Sequence, residues 1–307
     1  LDGLTLWHFP RAVSFDEINI AVQAHPMPIT VHPSGCAAGA EIRGADLSQT
    51  LTDAKFAIIQ EALDQHGVLY FRGQTLTPDD QIAFTEWFGE PDVNFNALRF
   101  GVDGSPVIYR ISNITEDGKP IGTRRAGETW HTDMSYAKHP ALATMLYAME
   151  VPHLHGLPLG GTGFANAAAA YDALPESMKE AIDGLKGVFD FRGRKRSSPV
   201  SAEDIAAYPP VEHPIVRTHP RTGRKSLYIV RDDTTSIVGK DERESQALIE
   251  ALADHIVSPQ FVYQHRWAVG DVVVWDNCTV QHRAVQDYDL PQRRLLWRTT
   301  VKGGAPV

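Results

Sequence analysis

Cysteine is scarce in this 307-residue chain, with Cys36 and Cys278 the only two. Two thiols exclude a disulfide-framed scaffold and a zinc site built from cysteines, and they suit the reducing cytoplasm, where we expect the protein to reside. No stretch approaches the roughly 18 consecutive apolar residues of a membrane span, so no membrane partner is expected. Basic charge is in deficit: the formal net charge is −9. A general nucleic-acid binder needs a net basic face, so nucleic acid is not an expected partner either. Internal repeats and low-complexity tracts are missing, and the first residues carry no charged-then-apolar leader pattern. The remaining composition, 43% hydrophobic and 22% charged, is that of an ordinary globular protein long enough to bury a sizeable core.

Residues 1–26, punctuated by Pro10 and Pro26, read as an extension before a single domain over 27–307. A short strand at 29–32 leads into the glycine-rich segment Gly35 to Gly39. The spacing of Phe56, Ile59 and Leu63 predicts a helix from Thr52-Asp53 to His66, stopped by Gly67. A buried strand follows at 68–71. Thr77, Pro78 and Asp80 then open a second helix that runs to Gly89. From Pro106 onward the pattern changes to short strands at 107–112, 142–151, 215–218, 226–230, 261–265, 272–275, 279–283 and 294–301. Helices interrupt them at 165–173, 176–182 and 242–256, the last with Leu248, Leu252 and Ile256 in line. Many short strands divided by turns predict a mainly β sandwich or barrel with flanking helices. Two long polar loops, 113–128 and 192–202, are candidates for binding segments.

The chemistry centres on Trp130-His131-Thr132-Asp133. In extended chain, residues two apart share a face, so His131 and Asp133 aim an imidazole and a carboxylate at one point. His282 supplies a second imidazole. Two histidines and one carboxylate on one face of a metal leave the opposite positions open, which suits an octahedral Fe(II) that must still bind a co-substrate and oxygen. The alternative is a hydrogen-bonded core pair. Further on, alternation along 293–298 puts Arg294, Leu296 and Arg298 on one face and Arg293, Leu295 and Trp297 on the other. Arginines that point into a barrel need anionic partners there.

Taken together, these residues resemble the taurine dioxygenase family of Fe(II)- and 2-oxoglutarate-dependent oxygenases, which also holds the phenoxyalkanoate herbicide dioxygenases. The resemblance runs from about Met27 to Lys302. It rests on Trp130 to Asp133, the Gly160-Gly-Thr-Gly-Phe-Ala-Asn166 run, His213 to Pro220, Val273 to Asn277, Gln281-His282, and Asp287-Tyr288 with Leu290-Pro-Gln-Arg-Arg294. The fold it implies is a double-stranded β-helix, a jelly-roll core with helices packed outside.

By that resemblance His131, Asp133 and His282 are the Fe(II) ligands, and Arg294 with Thr162 binds 2-oxoglutarate. Asp289 looks inserted ahead of the arginines, so counting from His282 points to Arg293 instead, while the motif and the face shared with Arg298 favour Arg294. Arg298 matches the position lying over the substrate, with pairing to Asp233 as the structural alternative. Asn94 and Asp233 stand where the taurine enzyme has a histidine and an aromatic residue. Both are therefore candidate substrate residues, and taurine itself is not the expected substrate. The retained Asp133 argues against the halogenase branch, which lacks that carboxylate. The implied activity uses O2 and 2-oxoglutarate to hydroxylate a small anionic organic molecule such as a sulfonate or aryloxyalkanoate, releasing succinate and CO2. Hydroxylation beside a heteroatom can cleave a C–S, C–O or C–N bond. A homo-oligomer is expected. The contrasting class is a non-enzymatic or zinc-binding jelly-roll protein, which is expected to have lost an iron ligand or the 2-oxoglutarate arginine.

Other residues carry blander expectations. His213 and His219 read as structural, His153 and His155 as loop residues, and Trp130 and Trp275 as core packing. Arg192 to Arg196 and Arg124-Arg125 read as solvated surface, with an active-site lid as the alternative for each.

Overall fold

The computed structural model describes residues 28–93, 95–194 and 201–307. The expected extension at 1–26 and the candidate Asn94 lie outside the described residues. The chain is mainly β with flanking helices. A seven-stranded sheet runs in the order Thr30–Pro33, Ala40–Arg43, Val68–Phe71, Val272–Asp276, Ala143–Glu150, Leu295–Val301, Tyr109–Ser112. Every neighbouring pair is antiparallel except Ala40–Arg43 with Val68–Phe71. A three-stranded antiparallel sheet, Val262–His265, Thr162–Asn166 and Val280–Ala284, faces it. Between them lies a core to which one sheet gives Leu146, Val273, Trp275 and Leu296 and the other gives Phe164, Tyr263 and Val280.

The helices close the outer faces. Asp53–His66 starts where the Thr52 side chain accepts from the Lys55 N–H and stops where Gly67 turns left-handed at φ 67°. It buries Ile59 and Leu63, with Phe56 packed beside them, on the outer face of the large sheet. Pro78–Glu86 opens with the expected Thr77–Asp80 capping box but ends earlier than expected, and a turn carries the chain on to Gly89. Glu242–Ile256 lays Leu248, Leu252 and Ile256 on the outer face of the smaller sheet, against Ala165, Phe261 and Val262.

Several expectations are corrected. Residues 162–166 form a strand, and the helix expected from 165 begins only at Ala167, where the Asn166 side chain caps it by accepting from the Ala169 N–H. Lys186–Phe189, Val211–Pro214 and Thr234–Ile237 make a further small sheet that no expectation contained. The 113–128 loop holds a two-residue ladder, Thr115–Glu116 with Lys119–Pro120. Among the described residues no helix is long and apolar enough to cross a membrane.

Candidate active site

His282 sits on Val280–Ala284, and His131 extends that sheet by a single bridge: each donates its backbone N–H to the other's carbonyl, at 3.0 and 2.8 Å. The extended stretch around His131 is therefore one bridge long, and Asp133 already lies in the turn that follows. The three side chains still converge. Both Nε2 atoms lie 3.8 Å from Asp133 Oδ1, and the imidazole centroids are 4.2 Å apart. One ligand atom from each residue falls within 4.8 Å of the others, and all three residues are buried.

Neighbours aim each donor. The Nδ1 of His131 bonds the Thr129 carbonyl oxygen at 2.8 Å, which makes Nδ1 the proton carrier and turns the Nε2 lone pair to the centre. Asp133 Oδ2 accepts from the Thr144 hydroxyl at 2.7 Å, and Asn277 in turn donates to Thr144 and accepts from the Asp133 N–H. The indole N–H of Trp275 fixes the Asn277 amide from the other side at 3.0 Å. Trp275 and Phe164 also wall His282, at ring distances of 4.6 and 6.2 Å.

Charge is tuned accordingly. Burial first, then the partner imidazole and Arg194, hold His131 well below the usual histidine range. Burial likewise pulls His282 down to about 4. Both imidazoles are neutral near pH 7, the form that binds metal. Burial alone would raise Asp133, but Arg298 and the two histidines override it and hold the carboxyl well below its ordinary value. Two neutral imidazoles and an ionised carboxylate fit a divalent iron.

Arg298 reaches this carboxylate: its Nη2 lies 2.6 Å from Asp133 Oδ1, and its guanidinium lies 5.9 Å from the Tyr109 ring centroid. Arg298 thus pairs with Asp133, and the alternative pairing with Asp233 is overturned. Asp233 is fully buried and bonds Arg194 and Ser135 instead.

The arginine register follows the alternation. Arg294 is buried, and the inserted Asp289 is absorbed in a turn where its carbonyl accepts from the Gln292 N–H. Arg293 points outward to Glu150 at 2.7 Å. The Arg294 guanidinium lies 5.6 Å from the Tyr288 ring centroid and makes no ion pair among the described residues, and burial lowers its pKa. A buried guanidinium without a carboxylate is costly unless an anion arrives. Gly160 lets it lie flat against the chain, since a Cβ there would stand 3.0 Å from its Cδ and Nε. Thr162 shares this end of the site, its hydroxyl accepting from the Trp267 indole at 3.0 Å.

A second convergence, His219, Asp276 and Cys278, has ligand-like spacing. There Nδ1 of His219 accepts two backbone N–H groups, from Arg221 and Thr222, so Nε2 carries the proton and faces Asp276 at 3.3 Å. Asp276 also takes Thr279 and the Cys278 N–H. That set is satisfied by hydrogen bonds and is structural. His213 bonds the Ala137 carbonyl. His153 and His155 belong to an exposed hairpin. Trp130 and Trp275 pack into core clusters.

Comparison with known proteins places the chain in a family. Residues 28–300 match the model of the taurine catabolism dioxygenase TauD, TfdA family. The chain belongs to the TauD/TfdA family. Among its curated relatives is an alpha-ketoglutarate-dependent 2,4-dichlorophenoxyacetate dioxygenase of Cupriavidus pinatubonensis, 35% identical over 92% of this chain and 100% of the relative. Another is an alpha-ketoglutarate-dependent sulfate ester dioxygenase of Pseudomonas putida, 34% identical over 94% of each. A solved taurine dioxygenase from Burkholderia xenovorans superposes with a TM-score of 0.77 at 36% identity, covering 91% of each chain. Asn277 and Thr144 carried no expected role, and Arg194 entered only within the basic cluster expected as surface, with a lid as the alternative. Of the first two, only Asn277 left a signal in the sequence, as the last residue of a family motif.

Proposed function

We propose that this TauD/TfdA-family chain is an Fe(II)- and 2-oxoglutarate-dependent dioxygenase that hydroxylates a small organic anion. The observations that carry this are the convergence of His131, Asp133 and His282 and a buried Arg294 that lacks a carboxylate. His131, Asp133 and His282 hold the iron, and Arg294 with Thr162 holds the distal carboxylate of 2-oxoglutarate. Bound iron and 2-oxoglutarate supply the oxygen chemistry, in which decarboxylation to succinate and CO2 is coupled to hydroxylation of the substrate. The protein's part is placement. Thr129 sets the His131 tautomer, Thr144 and Asn277 hold the carboxylate, and Trp275 and Phe164 keep the His282 side dry. Arg298 neutralises Asp133 here. With that carboxylate committed to iron, the same guanidinium meets the substrate's anionic group. The named substrates of the relatives, 2,4-dichlorophenoxyacetate and sulfate esters, are organic anions of this kind. In this reading the two facing sheets form a double-stranded β-helix and the domain spans 27–307. Two free thiols, Cys36 and Cys278, support residence in a reducing cytoplasm, and a homo-oligomer is part of the same reading.

The test begins without oxygen. Fe(II) plus 2-oxoglutarate should give a visible charge-transfer band in the wild type and none in His282→Ala. With oxygen admitted, succinate should rise above the uncoupled background for at least one member of a panel of sulfonates, sulfate esters, aryloxyalkanoates and phosphonates. A band that survives in His282→Ala would contradict the ligand set.

A further inference from the structure

Arg192 and Arg194 lie two residues apart in one basic turn and go opposite ways. The Arg192 side chain is 58% exposed and pairs with Asp190, whereas that of Arg194 is 16% exposed and turns inward to Asp233. Asp233 grips it along one edge, taking Nε at 3.0 Å and also Nη2. The same carboxylate accepts from the hydroxyl of Ser135, two residues beyond Asp133. One buried acid thus ties the turn carrying Arg194 to the turn carrying an expected metal ligand.

The surrounding chain is shaped for this approach. A Cβ at Gly193 would stand 2.1 Å from the Asp232 carbonyl oxygen, so only glycine lets the turn come this close. The Asp190 N–H donates to the Asp233 carbonyl at 2.8 Å. Tyr136 packs on Phe191 at 4.7 Å and on Tyr208 at 5.1 Å, binding the two turns by a second route. Arg298 on Asp133 and Arg194, tied through Asp233 to Ser135, thus hold the same turn at positions two residues apart, with Tyr109 beside Arg298.

We propose that Arg194 is a second anion-binding group of the substrate site, and that Arg194 and Arg298 together hold the three-oxygen head of a sulfate ester or sulfonate. This rests on the metal and co-substrate reading above. The choice of anion follows from geometry. A carboxylate offers two oxygens, which one arginine fork can satisfy. A sulfate ester or sulfonate offers three terminal oxygens, so a second fork has an acceptor to meet. Asp233 is the condition for keeping a second guanidinium at this depth, because a buried cation without a partner is strongly disfavoured.

The test is anaerobic calorimetry on the protein loaded with Fe(II) and 2-oxoglutarate, with hexyl sulfate, hexane-1-sulfonate, heptanoate and hexanol as probes. Arg194→Gln should weaken both sulfur anions about 30-fold or more, the usual result of truncating one partner of a buried charged pair. It should leave heptanoate within about threefold, hexanol unchanged and the visible band of the iron complex intact. Arg194→Lys, which keeps the charge beside Asp233, should recover part of the lost affinity. Equal losses for all four probes would show a purely structural role and overturn the proposal, as would undiminished binding of the sulfur anions. A wild type that forms the band yet binds neither sulfur anion also overturns it. No band at all overturns the metal reading and the proposal with it.

Discussion

Arg293 and Arg294 are neighbours with opposite surroundings, and that difference has a measurable consequence. Arg293 meets Glu150 at the surface, where an ion pair is screened and contributes roughly 0–1 kcal/mol. Arg294 is buried beside Tyr288 with no carboxylate. Losing it should cost about 2–5 kcal/mol of 2-oxoglutarate binding. Arg294→Gln should accordingly raise the 2-oxoglutarate requirement by at least about 30-fold, and Arg293→Gln should stay within a few-fold, both read from succinate formation. Reversed effects would place the co-substrate arginine one residue earlier. His282 adds a pH dependence. Burial lowers its folded pKa from 6.5 to about 4, so between those values the unfolded chain binds more protons than the folded one. Stability of the metal-free protein should therefore fall as pH drops through that window, by on the order of 2–3 kcal/mol from this group. His282→Gln should flatten the fall in urea midpoints between pH 6.5 and 4; an unchanged slope would contradict it. At this scale the convergence of His131, Asp133 and His282 was legible because an H-x-D with a distant histidine belongs to a recognisable set of motifs. The pairing of Asp233 with Arg194 was not legible, since Arg194 lies in a separate basic turn that reads as surface first and as a lid only in its alternative.

The decisive element is the hairpin of Val272–Asp276 and Val280–Ala284. Its turn supplies Asn277 to Asp133 and its return strand supplies His282. Asn277 also reaches Thr144 and Trp275, so Asn277→Ala removes the group that fixes the Asp133 backbone N–H and the Thr144 hydroxyl on the carboxylate, without touching an expected ligand. We expect metal affinity to fall roughly 10–100-fold. Circular dichroism should remain that of the wild type, and Mn(II) titration should measure the loss. Wild-type affinity would show that Thr144 alone orients Asp133. Most outer helices could be read from caps and spacing, as Thr52, Thr77 and Gly67 illustrate. The strand Thr162–Asn166 could not, because Thr-Gly-Phe-Ala-Asn has neither alternation nor a run of β-branched residues. It is buried on both faces, between the two-sheet core and Glu242–Ile256. Periodicity carries no information in such a strand.

Across the molecule, a chain with a formal charge of −9 sets Arg194 on Asp233 and Arg298 on the carboxylate of the His131, Asp133 and His282 cluster, and buries Arg294 without an ion pair among the described residues. Acidic side chains outnumber basic ones, 38 to 29, while these inward positions hold guanidiniums suited to anions. That contrast separates an active site from a surface, and it rests on the claim that His131, Asp133 and His282 bind one metal. The most direct measurement is anomalous diffraction at the iron edge from crystals grown anaerobically with Fe(II) and 2-oxoglutarate. The account predicts one strong peak within bonding distance of His131 Nε2, His282 Nε2 and an Asp133 carboxylate oxygen, with the distal carboxylate of 2-oxoglutarate on Arg294. No peak there, or a peak at His219, Asp276 and Cys278 instead, would contradict it.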